Sequence, residues 1–208
     1  VTAPGTLRGC RSHNVRLVTM PRYGVPDVIE FWETERGPMP RDEAALKQIR
    51  PLLVAESVLI VETVRNDIYN GALSAYFLQR LSAMCRASDA YLVMDEALLS
   101  MRCGRLWSFE YLTPALQVRA VVFGKAHYVS GVCTPTALQS RMKSVIGSAS
   151  RSGYGPVICV AVSILRLVFQ LFKNGIDEKI NEFRQTITDN FSEHMTDMQW
   201  FGFMCGAR

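Results

Sequence analysis

The sequence predicts an α/β fold with a mostly parallel sheet flanked by helices. Two patterns carry this expectation. Three short apolar runs, residues 57–62 (SVLIVE), 91–95 (YLVMD) and 119–123 (RAVVF), have the length and continuity of strands in a parallel sheet. Between the first two, residues 72–88 set Leu73, Tyr76, Phe77, Leu81 and Met84 at spacings of three and four, the signature of an amphipathic helix. Strand, helix, strand, irregular connection and strand is the order in which parallel sheets are built.

In chain order, residues 1–13 are turn-rich and read as an irregular lead-in, and residues 14–20 are expected to form a strand. A stretch punctuated by Pro and Gly follows to about Arg41. Residues 42–53 predict a short helix, with Ala44, Leu46 and Ile49 against charged neighbours. The run 57–62 predicts a strand buried on both faces. Beyond the third strand, 128–133 reads as extended, 157–172 as a buried helix, 177–194 as a more exposed helix and 198–205 as a final strand. No repeat or low-complexity segment interrupts this order. The expected division is a lead-in over 1–50 and one domain over 50–208.

Composition narrows the class. Of 208 residues 49% are hydrophobic and 20% charged, which excludes a disordered, collagen-like or disulfide-scaffold chain. Of the 23 Lys and Arg, only Lys47, Lys125, Lys143, Lys173 and Lys179 are lysine. A net charge of +4, scattered with no basic run longer than two, does not describe a dedicated nucleic-acid surface. The six cysteines stand singly, and the nearest two, Cys85 and Cys103, are 18 positions apart, which is not metal-ligand spacing. Their apolar neighbours predict buried free thiols in a reducing compartment. No signal peptide opens the chain, and Val1 in place of Met reads as processing or a fragment. The apolar stretch 156–172 is interrupted by Arg166 and is short for a membrane span. An intracellular protein, in cytoplasm or mitochondrial matrix, is expected.

In open α/β sheets, ligands sit beyond the carboxyl ends of the strands. Glu62, Asp95 with Glu96, and Lys125 occupy such ends. Glu62 and Glu96 read equally well as solvated loop residues. Asp95 and Lys125 directly follow the strongest strand patterns. A desolvated lysine amine can form a Schiff base, and a nearby carboxylate can hold a cationic ring nitrogen. His13 and His194 carry no chemistry on this reading, His127 is placed two after Lys125 where it could touch a ligand without a fixed role, and Arg102 and Glu110 support the loop between the strands.

The stretch YLVMDEALLSMRCGRLWSFEY, followed by PALQVRAVVFGKAHYVSGV, resembles the core of class III (ornithine/lysine/4-aminobutyrate type) pyridoxal-phosphate aminotransferases. Asp95, Glu96, Arg102, Gly104, Trp107, Glu110, Pro114, Gly124, Lys125 and Gly131 fall where that pattern expects them. IVETV at 60–64 is similar to the family's Glu-Pro strand end, with Thr63 in place of proline, and YFLQRLSAMCRASDA to its companion helix. GPVICVAVSILRLVF, GIDEKINEF and WFGFMCGAR resemble the elements that close the large domain. The resemblance covers roughly residues 50–206.

It implies the large-domain fold of fold-type I pyridoxal-phosphate enzymes, with pyridoxal phosphate as cofactor held by Lys125 through a Schiff base and its ring nitrogen paired with Asp95. Ala97 and Leu98 stand where the family has a ring-packing valine and a glutamine facing the phenolic oxygen. Ser152, beside Arg151, stands near the position of a threonine that reaches a partner subunit's cofactor phosphate. The implied activity is amino-group transfer from an amino acid or amine to a keto acid, in a homodimer or larger protein complex. No segment of 1–50 resembles the family's phosphate loop, and its small domain is expected beyond residue 208. The enzyme is therefore expected as a fragment or one part of a split enzyme. The alternative is a non-catalytic aminotransferase-like subunit acting as a scaffold. A third reading, an α/β domain binding nucleotide or RNA through its arginines, predicts binding lost with rising salt.

Overall fold

A computed structural model describes residues 40–64, 72–112, 116–135, 155–195 and 198–206. The strand expected at 14–20 lies outside them.

Helix α1 (Pro40–Ile49) runs into a 3₁₀ turn (Arg50–Leu52) and delivers the chain to strand β1 (Val58–Val61). Helix α2 (Ala75–Ala87) begins at Ser74, whose hydroxyl accepts from the Phe77 amide at 3.0 Å and donates to the Asp42 carboxylate at 3.0 Å. The cap therefore also ties the start of α1 to that of α2, and Tyr76 adds a hydrogen bond to Glu43. The α2 face bearing Phe77, Leu78, Leu81, Met84 and Cys85 is buried, as its three- and four-residue spacing requires.

Strands β2 (Tyr91–Asp95) and β3 (Ala120–Phe123) are joined by a loop containing the one-turn helix α3 (Phe109–Leu112), and β4 (Gly131–Cys133) follows a 3₁₀ turn at Lys125–His127. The sheet order is β1-β2-β3-β4, with the first three strands parallel and β4 antiparallel. The register sets Val61 beside Met94 and Met94 beside Val121, so Leu59, Val61, Leu92, Met94 and Val121 share one face. That face joins α2 and the α1 residues Ala45, Leu46 and Ile49 in a single core. Full burial of each large side chain there, Phe77 or Leu81 for instance, contributes roughly 1.5–3 kcal/mol.

Helices α4 (Gly155–Lys173) and α5 (Ile176–Phe191) turn through 87° at Gly175, which takes a left-handed conformation. Strands β5 (Gln199–Phe201) and β6 (Met204–Gly206) form a hairpin where one strand was expected. Gly202 makes the turn at φ +61° and lies so close to the loop after β2 that a Cβ would sit 2.3 Å from the Cys103 Cα. Among the described residues no single helix is long and apolar enough to cross a membrane.

Three burial expectations are corrected. β1 is at the sheet edge, and its second face is open, with Val58 58% and Ile60 43% exposed. Helix α4 buries Ala161 but leaves Val160, Val162, Leu167, Phe169 and Leu171 exposed. Of the thiols, Cys85 and Cys103 are buried as expected, whereas Cys133 and Cys159 are exposed. Apolar content alone does not say which neighbour covers a segment, so a run can be hydrophobic and still face outward.

Candidate active site

The sheet register brings the carboxyl ends of β2 and β3 together. Asp95 pairs with Val122, and the Glu96 amide continues the ladder by donating to the Val122 carbonyl at 2.8 Å. Three residues beyond Val122 comes Lys125. The half-buried Asp95 accepts the Ala97 amide on Oδ1 at 3.1 Å, a turn that fixes the carboxylate at the strand end. Ala97 and Leu98 are half-buried on the same loop. A Cβ at Gly124 would lie 3.9 Å from the Ala97 Cβ, so this loop and the start of the lysine turn abut.

The lysine turn has an uncommon backbone. Gly124 is extended and buried, Lys125 has φ +47° and is exposed, and Tyr128 closes the turn at φ +64°. Two non-glycine residues in the left-handed region cost on the order of 1 kcal/mol each. Surrounding contacts must outweigh that cost. The His127 ring, buried to 3% exposure, lies 5.0 Å from the Phe123 ring and 5.9 Å from that of Trp107, and its Nε2 is 2.8 Å from Ser100 Oγ. Burial holds the His127 pKa below the ordinary histidine value.

Beneath Asp95, the second carboxylate of the pair is fully buried. Glu96 receives the Ser108 amide at 2.9 Å and the Ser108 hydroxyl at 2.5 Å. Of the two readings open for Glu96, the solvated one is excluded. Desolvation pushes its pKa up to about 7, against the lowering effect of the Ser108 hydrogen bonds. The neighbouring Cys103 thiol is also raised, first by burial and then by the Glu96 charge. Glu110 accepts the Trp107 amide at 3.1 Å, and the Arg102 carbonyl accepts the Phe203 amide at 3.1 Å from the β5–β6 hairpin. Arg105 makes a two-point ion pair with Asp177 at the start of α5, both contacts 2.8 Å. The loop is thus tied at several points to the elements around it.

Lys125, Asp95, Ala97 and Leu98 therefore gather at one end of the sheet, while Ser152 lies outside the described residues. The sequence reading assigned no fixed role to His127 and nothing to Ser100. Their pairing spans 27 positions, and the only local trace of it is a histidine two places after the lysine. Among the described residues no group of His, Cys, Asp and Glu is arranged to hold a metal ion. An exposed lysine and a half-buried carboxylate at the carboxyl ends of two adjacent parallel strands are the two group types that an aldehyde-bearing, nitrogen-containing ring requires. The residues present fit that part of pyridoxal phosphate.

No family model matches the chain. Over 160 residues, 71% of the chain, it is 27% identical to the L-lysine-epsilon aminotransferase of Streptomyces clavuligerus, covering 34% of that protein. The fold is similar to that of Plasmodium falciparum ornithine delta-aminotransferase, with a TM-score of 0.64 at 18% identity over 82% of this chain and 45% of that one. It is also similar to the lysine aminotransferase of M. tuberculosis, with a TM-score of 0.57 at 19% identity over 85% of this chain and 44% of that one. The chain spans about a third of the length of the curated relative and less than half that of these structures. The likeness of fold and the likeness of sequence converge on the class III pyridoxal-phosphate aminotransferases, the family that this chain resembles over most of its length.

Proposed function

We propose that this chain is a large-domain part of a pyridoxal-phosphate-dependent aminotransferase that moves an amino group from an amino acid or amine to a keto acid. What supports the reading most is the adjacency of the Asp95 and Lys125 strand ends, in a fold shared with ornithine and lysine aminotransferases. Pyridoxal phosphate, when bound, supplies a sink for the electron pair left at the substrate carbon. Lys125 would hold it through Nζ, and the same Nζ, when free, would be the base that accepts the proton from the amine-bearing carbon of the substrate. Asp95 holds the proton on the ring nitrogen. Ala97 and Leu98 would stand in for the family's ring-packing valine and its glutamine, and Ser152 for the threonine that reaches a partner subunit's phosphate. The active assembly is a homodimer or larger complex, and the buried free thiols of Cys85 and Cys103 suit a reducing compartment in cytoplasm or mitochondrial matrix.

One observation also suits a second reading, a non-catalytic aminotransferase-like subunit in a larger assembly. Among the described residues five large apolar side chains of α4 stand exposed, a surface that a scaffold's partner would cover and that the homodimer of the first reading would cover equally.

The deciding experiment titrates the chain in its native assembly with pyridoxal phosphate, reduces with borohydride and locates the label by peptide mass. The expected result is a visible absorbance band and a label on Lys125 that is lost in Lys125→Ala. No band at saturating cofactor overturns the catalytic reading in favour of the scaffold.

A further inference from the structure

We infer that His127 and Ser100 form a positioning pair that holds the Lys125 turn against the loop following Asp95. The inference rests on the function proposed above, because positioning has meaning only if Lys125 and Asp95 serve the same ligand. Backbone pairing fixes Asp95 relative to β3, through Asp95 beside Val122 and the Glu96 amide on the Val122 carbonyl. That ladder ends before Lys125. Beyond Phe123 the chain leaves the sheet for a turn with two non-glycine residues at positive φ, Lys125 and Tyr128. The turn's own hydrogen bonds, from the His127 amide to the Gly124 carbonyl at 3.2 Å and from the Tyr128 amide to the Lys125 carbonyl at 3.0 Å, set its internal shape. They do not set its position over the Asp95 loop.

The His127 side chain supplies a link between the turn and that loop. Its ring is seated near Phe123 and Trp107, and its Nε2 reaches Ser100 Oγ at 2.8 Å. Ser100 is itself fully buried, and its amide donates to the Glu96 carbonyl at 3.1 Å, four residues back toward Asp95. An unbroken series of bonds therefore runs from the lysine turn through the imidazole and the serine to the residue next to Asp95. Buried polar groups joined in this way restrict geometry as well as satisfy one another. His127 and Ser100 act through Lys125 and touch no reacting atom.

Amide hydrogen exchange on the cofactor-free chain in its native assembly tests the pair without any ligand. In Ser100→Ala and His127→Ala, exchange at the His127 and Tyr128 amides should quicken at least tenfold while the α2 amides at Leu81 and Cys85 keep their rates. His127→Gln, which keeps a side-chain nitrogen that can reach Ser100, should restore protection to within about threefold. With pyridoxal phosphate added, the rate of borohydride-fixed labelling at Lys125 should fall about tenfold in the two alanine variants and recover in His127→Gln. Should His127→Ala lose protection throughout α2, Ser100→Ala carries the test, since it removes a single oxygen. Wild-type turn protection in Ser100→Ala overturns the inference, as does a loosened turn with an unchanged labelling rate. A wild-type chain that never labels Lys125 overturns the proposed function instead, and is told apart because the exchange is read before cofactor is added.

Discussion

Glu96 shows how burial turns a side chain from a charge into a pH-dependent contribution to stability. Its folded pKa of about 7 lies above the ordinary value of 4.5, so between those values the folded chain holds a proton that the unfolded chain has released. Stability from this group is fully present below pH 4.5 and is lost as pH rises through 7, by roughly 3 kcal/mol at the limit. Glutamine has the shape of the protonated acid, accepting the Ser108 amide and donating to its hydroxyl. Glu96→Gln should therefore match wild type in denaturant midpoint at pH 4 and exceed it by at least 1 kcal/mol at pH 8. Equal losses at both pH values would show that Glu96 is charged when folded. The chain's own letters gave no way to choose between a solvated and a buried Glu96, because what decides it is Ser108, twelve positions away and folded back on it. The strand-end positions of Asp95 and Lys125 were legible because each comes at the close of an apolar run. Ser100 was not, because a serine in a loop carries no pattern.

At the scale of elements, a single hydroxyl couples two helices. Ser74 caps α2 through the Phe77 amide and reaches the fully buried Asp42 at the start of α1. Ser74→Ala removes both bonds, the cap on α2 and the tie to α1, so it should cost more than an ordinary cap, roughly 2 kcal/mol in a denaturant titration. A loss below 0.5 kcal/mol would mean that water replaces the hydroxyl. The β5–β6 hairpin offers an independent test. Gly202→Ala would drive a methyl group into the Cys103 backbone at a residue already in the left-handed region, and should destabilise by roughly 2 kcal/mol or more. Strands β2 and β3 and helix α2 were legible because their periodicity and their burial agree. The hairpin was read as one strand because Gly202 sits in the middle of a run of aromatic and apolar letters, and its turn is fixed by contact with a loop a hundred positions earlier.

Across the whole molecule, the balance of covered and uncovered apolar surface bears on assembly. One face of the sheet is filled by α2 and α1, whereas the opposite face leaves Val58 and Ile60 of the edge strand open, with Val132 of β4 43% exposed. On α4, Val160, Leu167 and Leu171 fall at spacings of seven and four, so they line one stripe, 44%, 60% and 52% exposed. A stripe of that length on a helix outside the core stabilises little in the chain alone, and its removal from water on association contributes instead. If the homodimer or larger complex proposed here uses it, Leu167→Gln with Leu171→Gln should weaken self-association at least tenfold, read as the concentration dependence of the sedimentation coefficient. Because glutamine keeps the helix propensity of leucine, the denaturant midpoint of the monomeric fraction should move by less than about 0.5 kcal/mol. A sedimentation coefficient that does not change with concentration in the unsubstituted chain would refute self-association through this stripe. An unaltered association constant in the double variant, beside a clear dimer in the parent, would transfer the contact to the open sheet face, where Ile60→Gln becomes the corresponding substitution.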